Sequence, residues 1–166
     1  TVRAGEFVAL VGANGSGKTT LAKHLIGLLR PASGRLLIQG QESARQSVGA
    51  LARQVGFLFQ NPERQIFSAT VSDEVAFGPR NLGLAADVVA QRVRQALARF
   101  ELTDLATQPP AMLSFTQRRR VTLAAVAALE TPILVLDEPT VGLDAEACAS
   151  VLAWLSSSCC SATLRP

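Results

Sequence analysis

The sequence of 166 residues predicts an α/β fold, a parallel-sheet core interrupted by an inserted helical segment. Three observations carry that expectation. Glu6 to Val11, "EFVALV", is a short apolar run feeding a Gly-rich turn, and from Lys18 to Leu29 apolar residues return at helical spacing. Strand, loop and helix therefore follow one another. Pro132 to Pro139, "PILVLDEP", is a continuous apolar run ending in acids, the pattern of a strand buried in a parallel sheet. Between these two stretches, from about Asn61 to Ala128, the pattern turns helical.

The elements follow in order. Pro31 and Gly34 stop the first helix, and "RLLI" (Arg35 to Ile38) before Gly40 reads as a strand. Polar sequence leads to Arg53, and Val55 to Phe59 reads as another strand. Val89, Val93, Leu97 and Phe100 form one apolar stripe behind a candidate N-cap at Asp87. A helix is expected just after Ser114, where Ser114 and Gln117 have the spacing of a capping box, and a last amphipathic helix follows Asp144. There are no internal repeats.

Composition narrows the function classes. Hydrophobic residues make up 48% and charged residues 17%, rich in apolar side chains and suited to a globular domain with a partner-facing apolar surface. Glu130 and Pro132 break the longest apolar run, Val121 to Leu136, below the length of a bilayer span, and no signal peptide is visible. A cytoplasmic chain docked on a membrane protein is the expectation. The net charge of +3, from scattered arginines read as solvated helix faces, is not the dense patch of a nucleic-acid binder. Cys148, Cys159 and Cys160 lack zinc-ligand spacing and are expected to be reduced thiols.

"GANGSGKT" (Gly12 to Thr19) matches G-x-x-x-x-G-K-[ST] between a strand and a helix, which is a phosphate-binding loop. Glycines at 12, 15 and 17 permit φ > 0 turns that aim backbone N–H groups inward; the helix N-terminus adds its dipole and Lys18 a cation. Thr19 can place its hydroxyl on Mg²⁺. At the end of "ILVLDEP", Asp137 suits Mg²⁺ and Glu138 suits a water that attacks a phosphate.

These motifs resemble the nucleotide-binding domain of ATP-binding-cassette (ABC) transporters, a P-loop NTPase of RecA-like α/β fold. The resemblance adds Gln60 in "FLFQNP" as the Q-loop, "LSFTQ" (Leu113 to Gln117) as the signature motif and "VGLD" (Val141 to Asp144) as the D-loop. "FQNPERQIFSATVSDEVAFGPRNLGL" (Phe59 to Leu84) is similar to the ATPase subunits of energy-coupling-factor importers, where this run faces the membrane subunit. For Gln65, Phe67, Val71, Phe77 and Pro79, packing within the helical subdomain and docking on that subunit both stay open. The likeness implies one ABC ATPase domain over 1–166, incomplete at both ends: 1–60 and 129–166 as P-loop core, 61–128 as helical subdomain.

The likeness also implies ATP and Mg²⁺ as ligands, a head-to-tail dimer with a second ABC ATPase subunit, a transmembrane partner and a place on the inner face of the cell membrane. Gly12, Asn14, Gly15, Ser16, Gly17, Lys18, Thr19, Thr20 and Gln60 would bind nucleotide; Thr19, Gln60 and Asp137 would serve Mg²⁺; Glu138 would be the general base. Ser114 and Gln117 would reach the partner's ATP, and Asp144 would communicate across the dimer.

Three departures from the family pattern support an alternative, a hydrolysis-deficient nucleotide-binding module. Phe115 and Thr116 replace two glycines of the signature motif, so that the ring points either outward or at the nucleotide, and weakened dimerisation is expected. His24, the single histidine, lies in the helix after the P-loop and reads as an ordinary helix residue, leaving no switch histidine. The adenine-stacking aromatic and the antiparallel strands before "GEFVALVG" have no counterpart either. A DNA-acting ABC-type ATPase lacks support from zinc-site cysteines or heptads.

Overall fold

A computed structural model describes residues 1–61 and 65–161, with the side chains of 157–161 left out. Its elements are α1 (Lys18–Leu25), β1 (Leu37–Ile38), β2 (Gln41–Glu42), α2 (Val48–Ala52), β3 (Val55–Leu58), α3 (Val71–Asn81), α4 (Ala86–Arg99), α5 (Phe115–Leu129), β4 (Ile133–Leu136) and α6 (Ala145–Ser161). Pro62, Glu63 and Arg64 of the run after Gln60, and the side chains of Cys159 and Cys160, lie outside the described residues. The chain divides into two compact units, Thr1–Leu51 with residues from Asp144 onward, and Ala52–Leu143.

In the first unit α1 begins at Gly17 and buries Ala22, while β1 and β2 form a short antiparallel hairpin with Leu37 opposite Glu42. The expected strand at Glu6 to Val11 does not form. Those residues make no ladder hydrogen bonds, and Phe7, Val8, Leu10 and Val11 are exposed, Val11 at 94%. An apolar run becomes a strand only when a neighbouring strand offers its N–H and C=O groups, and among the described residues none does. In α6, Asp144 caps the start: its Oδ1 accepts from Ala147 N (2.8 Å) and its carbonyl from Cys148 N (2.9 Å).

The second unit holds the larger core. β3 and β4 pair in parallel, Val55 with Ile133 through Leu58 with Leu136, and Asp137 N extends the ladder to Leu58 O (3.0 Å). β3 is buried throughout, but β4, the strand expected to be buried, is only half-buried. α5 packs with α3, α4 and β3 and buries Val121, Thr122, Leu123, Ala124, Val126 and Ala128. Burial on most of its circumference explains why its apolar residues show no clean stripe.

α4 buries Val89, Val93 and Leu97, and Phe100 just beyond it, matching the predicted stripe. Its N-cap, however, is Ala85 rather than Asp87; Asp87 stands in the first turn, where its charge favours the helix dipole without capping a backbone N–H. α3 has a side-chain cap, with Thr70 Oγ1 accepting from Asp73 N (3.1 Å).

Candidate functional site

The loop Gly12 to Gly17 is exposed and closed by its own bonds. Ser16 N donates to Ala13 O (3.2 Å), and Lys18 Nζ donates to Gly12 O (2.8 Å) and Ala13 O (3.0 Å). Gly15 (φ 82°) and Gly17 (φ 94°) take the left-handed conformation that a side chain would strain. Gly12 does not, contrary to the reading of all three glycines alike. A Cβ there would lie 2.8 Å from Ser16 Oγ, so a side chain would have to turn the Ser16 hydroxyl aside. Asn14 is exposed in the turn, and Lys18, Thr19 and Thr20 form the first turn of α1. His24 Nδ1 lies 2.7 Å from Thr20 O, a helix residue as expected.

The acids and the Q-loop meet at the other end of the sequence motif set. β3 and β4 run parallel, so the residues just past their C-terminal ends are neighbours. Gln60 Nε2 donates to Glu138 Oε2 at 2.7 Å, joining residues 78 positions apart. Glu138 has φ 51°, a left-handed conformation in a non-glycine residue. Such strain is characteristic of functional positions that their surroundings hold in place.

Arg119 holds it in place. Its side chain is fully buried, Nη1 donates to Phe59 O (2.7 Å) and Gln60 O (3.1 Å), and Nη2 donates to Asp137 O (3.3 Å) and Glu138 O. Burial pushes its pKa below the ordinary arginine value, against the opposing pull of the Asp137 and Glu138 charges. This residue corrects the reading of the arginines as solvated. No signal distinguishes Arg119 from Arg118 and Arg120 except helical phase, because only the middle of the three positions is turned wholly inward.

The signature segment is well formed at its start. Ser114 is the N-cap of α5; its Oγ accepts from Gln117 N (3.2 Å) while Gln117 Oε1 accepts from Ser114 N (2.9 Å), the full capping box. The two residues standing for glycines both turn to Gly142. Thr116 Oγ1 donates to Gly142 O (2.9 Å), and the Phe115 ring lies over Gly142 so closely that a Cβ there would strike ring atom Cε1. Gly142 has φ 78°, so conformation and space both require glycine. Phe115 is 42% exposed.

Of the run after Gln60, Val71 and Pro79 are buried in the core of the second unit and Gln65 accepts from Phe59 N (3.4 Å). Phe67 and Phe77 are exposed and meet edge to face, ring centroids 4.5 Å apart. Glu74 is buried beneath them, its Oε2 accepting from Phe67 N (3.1 Å) and Ser68 N (2.8 Å). Among the described residues no group of three or more His, Cys, Asp or Glu is arranged to hold a metal ion, and no helix is long and apolar enough to cross a membrane.

A family model described as ABC transporter matches residues 1–141. The chain is 48% identical over 143 residues to a putative ABC transporter ATP-binding protein of Methanosarcina acetivorans, covering 86% of this chain and 23% of that protein. It is 46% identical over 155 residues to the energy-coupling factor transporter ATP-binding protein EcfA1 of Enterococcus faecalis, covering 93% of this chain and 56% of that protein. Among solved structures, cbiO1 from Clostridium perfringens, described as part of the ABC transporter complex cbiONQ, superposes with TM-score 0.81 at 37% identity, over 97% of this chain and 65% of that one. The chain thus spans between about a quarter and about a half of these relatives' length. With its P-loop, its acid-ended parallel strand, its capped signature helix and this match over most of its residues, the chain belongs to the ABC transporter family.

Proposed function

We propose that this chain binds ATP with Mg²⁺ and hydrolyses it to drive uptake through an importer of the energy-coupling-factor type. The observation that carries the reading is the Gln60–Glu138 hydrogen bond at the ends of β3 and β4, which puts a carboxylate and an amide together where a water can be oriented. Gly12, Asn14, Gly15, Ser16, Gly17, Lys18, Thr19 and Thr20 hold the phosphates through backbone N–H groups, hydroxyls and the ammonium of Lys18. Lys18 now bonds two carbonyls of its own loop, contacts it exchanges for phosphate oxygens. Glu138 takes the proton of the attacking water, and Gln60 fixes the carboxylate that does so.

By their chemistry, three side chains would suit a divalent cation. The Thr19 hydroxyl, the Gln60 amide oxygen and the Asp137 carboxylate are all hard oxygen donors, and few, which suits Mg²⁺ that keeps waters and substrate phosphates in its shell. When bound it neutralises charge developing on the phosphate oxygens. Ser114 and Gln117 then address the ATP of a second ABC ATPase subunit, Asp144 communicates across that pair, and a transmembrane subunit receives the exposed Phe67–Phe77 pair on the inner face of the membrane.

The test is ATP turnover with Mg²⁺ by the chain and by Glu138→Gln. A fall of roughly 10²- to 10⁴-fold, the range for loss of a general base, is expected. Equal rates in the two proteins would sink the catalytic reading.

A further inference from the structure

Arg119 is a buried cation whose described partners are backbone carbonyls, and its Nε has no hydrogen-bond partner among the described residues. Burying a guanidinium among carbonyls is costly, and a residue wanted only for packing would be apolar. The carbonyls it joins are not arbitrary. Those of Phe59 and Gln60 leave the end of β3, those of Asp137 and Glu138 leave the end of β4, and one planar fork spans both pairs.

We infer that Arg119 is a positioning residue for ATP hydrolysis: it fixes the two strand ends so that the Gln60 amide and the Glu138 carboxylate meet, without itself touching nucleotide. The left-handed backbone of Glu138 is part of the same device, because donation from Nη2 to Glu138 O holds a conformation that is unfavourable in a residue with a Cβ. Arg119 also sits on α5, two residues after the Gln117 of the capping box. The signature helix and the pair that handles water are thus joined by one side chain. This inference rests on the reading of Glu138 as general base.

The experiment compares the full chain, Arg119→Lys, Arg119→Met, Glu138→Gln and the Arg119→Lys/Glu138→Gln double variant in ATP turnover with Mg²⁺, with circular dichroism to confirm folding. Lysine keeps the charge but is a point donor that cannot span both carbonyl pairs. Arg119→Lys is expected to lower kcat roughly tenfold to a hundredfold, the scale of a 1 Å misplacement, with KM for ATP within about twofold. Arg119→Met should lose more. If Arg119→Met does not fold, the kcat against KM split of Arg119→Lys decides. In the double variant the losses should not add, since Arg119 acts through Glu138. Folded variants with wild-type kcat, or kcat and affinity falling together, or additive losses, would each overturn the positioning role. Wild-type turnover no higher than that of Glu138→Gln would instead overturn the hydrolytic reading, and the role of Arg119 with it.

Discussion

Lys18 and Arg119 are both cations that hydrogen-bond backbone carbonyls, yet they do so in opposite ways. Lys18 is half-buried and reaches carbonyls five and six residues away in its own loop; Arg119 is fully buried and reaches carbonyls 18 to 60 residues away. The first arrangement is local and depends on glycines that let the backbone turn. The second depends on a folded core that brings β3, β4 and α5 together. The bonds that close the phosphate-binding loop are therefore set by its own residues, whereas the Gln60–Glu138 contact exists only if the second unit is intact.

The largest expected effect tests that dependence. Leu123→Ala, at a fully buried position of α5, should destabilise the fold by about 2 to 5 kcal/mol in urea titration, whereas Leu21→Ala, half-exposed on α1, should cost well under 1 kcal/mol. Comparable losses would erase the contrast between the two regions. Lys18→Ala should weaken ATP binding about tenfold to a hundredfold, as for loss of charge-assisted hydrogen bonds, with the melting temperature unmoved. A clear drop in melting temperature would show the loop to be tied into the core after all.

Gly142→Ala sharpens the comparison within the second unit. It should cost about 1 to 3 kcal/mol, from a left-handed φ and a clash with Phe115, and Phe115→Ala should recover part of that loss in a double-mutant cycle. A cycle with no coupling would mean that the ring does not rest on Gly142. The smallest effect is acid-dependent. Hydrogen bonds from Thr70 and then Arg80 lower the pKa of Asp73 from its ordinary 3.8. Because the folded-state value is depressed, this contribution is present above pH 3.8 and fades as pH falls through the lowered value. Asp73→Asn should flatten the acid limb of the stability profile slightly, as followed by thermal melts between pH 2 and about 6.

Much of the site could be read from residues in sequence because its causes are local. The glycine pattern around Lys18, the Ser114–Gln117 box and the apolar stripe of α4 each involve residues within a few positions of one another. Where the reading of strands went astray, the cause was a partner far along the chain. "EFVALV" has the composition of a strand but no ladder to join, and "PILV" has the composition of a covered strand yet is half-buried. Asp87 looked like a cap because a side chain can cap from one position only, and the helix began two residues earlier.

The sequence by itself determined the phosphate loop, the acids at a strand end and the start of the signature helix, because hydrogen bonds that close within a turn are specified by neighbouring residues. Only the tertiary structure decided which of three consecutive arginines is buried, that Gln60 reaches Glu138, and that Phe115 and Thr116 both turn to Gly142. Those outcomes depend on the parallel pairing of β3 with β4 and on the face α5 buries, and a contact across dozens of residues is set by packing rather than by any local pattern.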